Sequence, residues 1–142
     1  MNREEIKQIL PHREPMLLVD EAFTDEEGRS HGRYTVRGDE YFLQGHFPGT
    51  PVVPGVILCE MASQSSCAMM ADRLGDRLPL FAGMNNVRFK TPVRPGDTVE
   101  FVCELKRGMA SCYIIKAEGS VGGKLCVSGE FTFFFVEKDK IG

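Results

Sequence analysis

Sixteen consecutive residues, Val56 to Ala71, contain neither proline nor glycine and only one ionisable carboxylate or base, Glu60. With Pro54 fixing φ ahead of the run and Gly55 opening the first turn, the stretch is read as one helix. Val56, Ile57, Leu58, Cys59, Met61, Ala62, Cys67, Ala68, Met69 and Met70 put apolar or small surface on nearly every face. A helix of that kind has to be enclosed by other elements.

The enclosing material reads as sheet. Downstream, strands are expected over Leu80 to Lys90, Thr98 to Leu105, Ser111 to Glu118 and Lys124 to Val136, with turns at Pro92 to Gly96, Gly108 and Gly122-Gly123. Val99, Phe101, Cys103 and Leu105 alternate inward against Glu100 and Glu104. In the last strand Phe131, Phe133 and Phe135 share one face and Phe134 and Val136 the other, so the strand is buried on both sides or meets a subunit. Upstream, Met16 to Thr24 and Arg29 to Val36 form a further strand pair around a turn at Asp25 to Gly28. Asn2 and Glu5 make a capping box for a short helix ending at Pro11, and Asp39 is placed to cap a short turn through Tyr41, Phe42 and Leu43. The pattern is α+β, an antiparallel sheet wrapped around one long central helix, in a single domain over residues 1–142.

A formal charge of −3 argues against a general nucleic-acid binder. The start, MNREEIKQIL, lacks the apolar core of a signal peptide, and the longest apolar stretch is interrupted by Glu60, Gln64 and serines, so a cytoplasmic protein without a membrane span is expected. Five cysteines with no Cys-x-x-Cys pair give no disulfide or zinc framework, and His12, His31 and His46 lack metal-ligand spacing. Neither a metal nor another cofactor is expected.

Chemistry concentrates just before and within the helix. Gly45, Pro48, Gly49, Pro51, Pro54 and Gly55 fall within eleven positions, which makes a stiff, bent loop, and its one titratable side chain is His46. Glu60 is expected in a dry interior, where desolvation favours the protonated acid. The N–H groups of Gly55 and Val56 at the helix start form a candidate oxyanion site. A fixed imidazole, a neutral carboxylic acid and an oxyanion site suit removal of water from a β-hydroxy thioester, where a base takes the α-proton and an acid protonates the departing hydroxyl. On the residues alone, a hydrogen-bonded structural histidine and an ion-paired glutamate account for the same pattern.

Three stretches carry a resemblance. QGHFPGTPVVPGV at residues 44–56, followed by Glu60 and Gln64, is similar to the signature of the (3R)-hydroxyacyl-acyl carrier protein dehydratases of the FabZ family. LPHREPMLLVD at Leu10 to Asp20 and FAGMNNVRFKTPVRPGD at Phe81 to Asp97 resemble two further family segments. The sequence departs from the family pattern locally, at Ser63, Ser65, Asn85 and Asn86. The resemblance implies a hot-dog fold and dehydration of 3-hydroxyacyl chains to trans-2-enoyl chains in fatty-acid synthesis. His46 and Glu60 are then the catalytic pair, with Phe47, Gly55, Val56 and Gln64 at the substrate.

The same resemblance implies a homodimer, commonly assembled as a trimer of dimers, in which the histidine of one subunit faces the glutamate of the other. Arg88, Lys90 and Arg94, without an intervening acid, form a candidate docking patch for an acidic acyl carrier protein, extended by Lys106 and Arg107; a solvated turn explains these charges equally. Alternatives on the same fold are a bifunctional dehydratase/isomerase, whose usual acid is aspartate, an acyl thioesterase, and a non-catalytic acyl-binding module.

Overall fold

The computed structural model describes residues 1–140. It begins with α1 (Arg3–Ile6), capped as the sequence requires: the Asn2 side chain accepts from the Glu5 N–H, and the Glu5 carboxylate accepts from the Asn2 N–H. Then follow β1 (Glu21–Thr24), β2 (Ser30–Thr35), a 3-10 turn (Tyr41–Leu43), α2 (Gly55–Gln64), α3 (Cys67–Leu74), and four long strands, β3 (Leu78–Phe89), β4 (Thr98–Gly108), β5 (Cys112–Val121) and β6 (Lys124–Val136). A second 3-10 turn spans Lys138–Lys140. Every strand pair is antiparallel, and the sheet order is β1-β2-β4-β5-β6-β3.

The sheet closes over α2 because both surfaces are apolar where they meet. Leu58, Met61 and Ala62 of α2 share one buried cluster with Phe101, Cys103, Ile115, Phe131 and Phe133. Contact is closest at β2, where a Cβ added to Gly32 would lie 2.4 Å from Ser65 Oγ. Only glycine allows the helix backbone to approach that strand so nearly. Ser30 Oγ also donates to the Ser65 carbonyl at 2.7 Å, tying β2 to the end of α2. A smaller cluster of Ile6, Leu10, Leu17, Val19, Ala22 and Cys67 seats the N-terminal segment on α3.

The expected single helix differs in detail. It divides at Ser65-Ser66 into α2 and α3 and runs on to Leu74. Ser63 Oγ donates back to the Cys59 carbonyl and Ser66 Oγ to the Ser63 carbonyl at 2.6 Å, and hydroxyls that bond to the ladder's own acceptors favour a break. The expected strand over Met16 to Thr24 is reduced to β1. Leu17, Leu18 and Val19 are buried, but the Leu18 N–H donates to the side chain of Gln64 rather than to a neighbouring strand. Leu105, expected inward, is exposed, next to a register shift between Leu105 and Arg107. Asp39 does not cap the Tyr41–Leu43 turn. Glu40 precedes it, and its buried carboxylate accepts from Tyr34 Oη and from the N–H groups of Arg37 and Gly38.

β3 is an edge strand twelve residues long, and Leu80, Phe81, Met84 and Phe89 on it are exposed, as is Phe134 on β6. Asn86 adopts φ 54 within a register shift between Asn85 and Arg88. A short polar side chain tolerates that left-handed conformation better than most, which gives the sequence departure at Asn86 a local reason.

Candidate active site

The loop preceding α2 holds His46 by two bonds. Its N–H donates to the Leu43 carbonyl at 3.2 Å, and its ring Nδ1 lies 2.8 Å from the Val52 carbonyl. A carbonyl only accepts, so Nδ1 carries a proton, and in the neutral tautomer this fixes, the lone pair lies on Nε2. Phe47, at φ 53, places its ring 4.3 Å from the imidazole. The two residues line a cavity of about 490 Å³ together with Gly55, Val56, Phe89 and Lys90. Pro54, the residue ahead of α2, supplies no side-chain cap, and Gly55 and Val56, the first residues of the helix, line the same cavity as His46. A Cβ on Gly55 would come within 2.8 Å of the Phe89 ring, so the close packing of this wall depends on glycine.

Glu60 lies elsewhere. It lines a smaller cavity of about 100 Å³ with Leu10, His12, Ser63, Gln64 and Phe81, and its side chain is 23% exposed, so it borders an open pocket rather than a dry interior. Gln64 fixes it. One N–H of the Gln64 amide donates to Glu60 Oε2 and the other to the Met16 carbonyl, both at 2.8 Å, while its oxygen accepts from the Leu18 N–H at 2.7 Å. His12 Nε2 stands 3.5 Å from the same Glu60 oxygen. Among the described residues, His46 and Glu60 line two different cavities.

Burial pushes the thiol of Cys59, the residue before Glu60, up to about 11, with the Glu60 carboxylate adding to the effect. That side chain is core, not nucleophile. Arg88, Lys90 and Arg94 are all exposed, and none forms a salt bridge among the described residues; Lys90 also reaches the wall of the His46 cavity. Lys106 is different, because it pairs with Glu130.

The FabA-like domain model matches residues 10–130. The 3-hydroxyacyl-(acyl-carrier-protein) dehydratase FabZ of Pseudothermotoga lettingae is 42% identical over 125 residues, covering 88% of this chain and 89% of that protein. Its namesake from Natranaerobius thermophilus is 43% identical over 139 residues, covering 94% and 96%. The chain belongs to the FabZ family. Among solved structures, the dehydratase heterocomplex ApeI:P from Xenorhabdus doucetiae superposes with a TM-score of 0.80 at 21% identity, over 96% of this chain and 93% of that one. A fluoroacetyl-CoA-specific thioesterase superposes with a TM-score of 0.68 at 16% identity, over 80% and 96%. At such identities these two report the hot-dog fold and nothing finer.

Two residues of this FabZ-family chain emerge from the geometry and not from the sequence. Glu40 anchors the turn that leads into the His46 loop, because the Leu43 N–H donates to the Glu40 carbonyl one step before the His46 N–H donates to Leu43. His12 is the other. It sits in a proline-bounded turn far from Glu60 in sequence, and only the folded N-terminal segment brings the two together.

Proposed function

We propose that this chain dehydrates 3-hydroxyacyl groups carried on an acyl carrier protein, with His46 as base and Glu60 of a second copy as acid. The observation that carries the reading is the state of His46. Its Nδ1–H is committed to the Val52 carbonyl, and its free Nε2 shares a chain-sized cavity with the uncapped start of α2. Nε2 takes the α-proton as the Cα–H electrons form the Cα=Cβ bond. The Cβ–O bond breaks while protonated Glu60 gives its proton to the hydroxyl, and water leaves. The N–H groups of Gly55 and Val56 hold the thioester oxygen as it gains negative charge. The imidazolium and the carboxylate then re-equilibrate through solvent. Phe47 walls the acyl cavity, and Gln64, with both amide N–H groups spent, acts by orienting Glu60 rather than by touching substrate.

What supports a shared site is the separation of the two cavities together with the outer edge of β3, unpaired among the described residues, whose Leu80, Phe81, Met84 and Phe89 stay exposed in a single chain. A long apolar edge strand is covered by another chain or aggregates, and a two-fold copy would bring the Glu60 cavity of one subunit toward the His46 cavity of the other. The exposed cations Arg88, Lys90 and Arg94, of which Lys90 lines the His46 cavity, complement an acidic carrier.

Mixing tests the arrangement. His46→Ala and Glu60→Gln each lower turnover by about 100-fold or more, and subunit exchange between them recovers roughly a quarter of wild-type activity, since about half the dimers are mixed and each carries one intact site of two. Verified exchange without recovery refutes the shared site. Following enoyl absorbance and free thiol separately on a 3-hydroxyacyl thioester distinguishes dehydration from thioester hydrolysis on the same fold.

A further inference from the structure

The strongest unexplained feature outside the proposed pair is His12. Its Nδ1 is buried and has no hydrogen-bond partner among the described residues, while its Nε2 faces Glu60 Oε2 at 3.5 Å. An imidazolium here would bury an orphan N–H at Nδ1, so the ring is neutral. Of the two neutral tautomers, the one with the proton on Nε2 aims a donor at the carboxyl oxygen and leaves only a lone pair in the apolar surroundings. Burial holds the imidazole below its usual value; the carboxylate of Glu60 opposes this and the neighbouring Arg13 guanidinium adds to it.

Oε2 of Glu60 thus accepts from the Gln64 amide at 2.8 Å and has His12 Nε2 nearby at 3.5 Å, a contact longer than a formed hydrogen bond. An oxygen approached by two donors is the acceptor end of the carboxylic acid, which puts the proton on Oε1. When that proton leaves, negative charge spreads over both oxygens, and the longer of the two contacts has room to shorten. Within its own chain Glu60 otherwise faces Leu10, Ser63, Met70, Pro79, Leu80, Phe81 and Phe133, none of them titratable near neutrality, and in the assembled site it also faces His46 of the second copy, whose titration belongs to the acid limb of the profile. The Cys59 thiol is adjacent in sequence but stays protonated.

We propose that His12 is a positioning residue for Glu60, selecting the oxygen that holds the proton and stabilising the carboxylate formed as it departs. The proposal rests on Glu60 being the acid. Removing the donor makes Glu60 a weaker acid. In the assembled enzyme, His12→Phe keeps an aromatic ring without an N–H, and kcat falls about tenfold with little change in KM. The alkaline limb of the kcat profile, which reports loss of the acid's proton, moves upward by about half a pH unit. His12→Gln places an amide N–H near the former Nε2 and restores most of kcat and the position of the limb. A merely structural histidine would change yield or stability and leave the limb where it was.

The double variant separates this idea from the reading beneath it. With Glu60→Gln as background, His12→Phe produces no further loss, because the group it acts through is gone. An unmoved limb in His12→Phe, or the same tenfold loss in the Glu60→Gln background, overturns the role of His12 alone. Near-wild-type turnover in Glu60→Gln by itself overturns the assignment of the acid, and the proposal with it.

Discussion

Glu40 offers the most direct measurement of how the His46 loop is held. Its side chain is 4% exposed and its carboxylate receives three donors: Tyr34 Oη at 2.8 Å and the Arg37 N–H at 2.9 Å on one oxygen, and the Gly38 N–H at 2.8 Å on the other. In Glu40→Gln the retained oxygen keeps the first two, while the new NH2 meets the Gly38 N–H donor to donor. Two bonds lose their charge and a third is lost, for about 2 kcal/mol. Glu40→Ala leaves three donors without an acceptor and costs about 4 kcal/mol.

Urea unfolding at constant protein concentration reads both values, and pH supplies the sign. Although burial opposes ionisation, the backbone and tyrosine donors hold the Glu40 carboxyl below its ordinary value. Its contribution is therefore complete above the unfolded-state value of about 4.3 and is lost as pH falls through the folded-state value. The gap between wild type and Glu40→Gln should be level from about pH 6 to 8 and close as the solution is acidified below about pH 4. A gap under about 0.5 kcal/mol at neutral pH, or one that widens in acid, would show that the carboxylate is not what anchors this turn.

Three further outcomes are expected. Glu60→Gln keeps the side-chain size and loses the proton, so kcat falls by about 100-fold or more with modest change in KM, read by steady-state enoyl formation. Reversing Arg88 and Lys90 to glutamate weakens turnover of carrier-linked substrates while sparing short soluble thioesters, and raising the salt concentration on wild type reproduces the loss; equal effects on both substrates would remove the docking role. Gly32→Ala drives a Cβ against Ser65 and lowers stability by about 1–3 kcal/mol in thermal unfolding, and Ser65→Gly in that background recovers part of it.

The parts legible in the sequence were those whose signal is local. The capping box of Asn2 and Glu5 formed as written, and β6 runs from Lys124 to Val136 because its alternating phenylalanines admit one register. Phe134, exposed on the face opposite Phe131, Phe133 and Phe135, left the choice between a second core and a subunit contact to the assembly. What was not legible depends on side chains acting as backbone. Residues 16–19 have the composition of a strand, yet the neighbour they pair with is the amide of Gln64, which no hydropathy pattern announces. The division of the central helix turns on where the hydroxyls of Ser63 and Ser66 point, and a serine reads alike whether it faces water or its own helix. The expected cap by Asp39 has no counterpart, because Glu40 precedes the turn with its buried carboxylate committed to Tyr34, Arg37 and Gly38.

The amide of Gln64 has a consequence for time as well as for shape. It is held by Met16 and Leu18 on one side and holds Glu60 on the other, so the seating of the N-terminal segment and the aim of the carboxyl are a single equilibrium. Each moment in which that segment lifts from the body is a moment in which the carboxyl swings without a guide. On the proposed role of Glu60, the occupancy of the seated state scales turnover, and it is set by the packing of Ile6, Leu17 and Val19, side chains outside the Glu60 cavity.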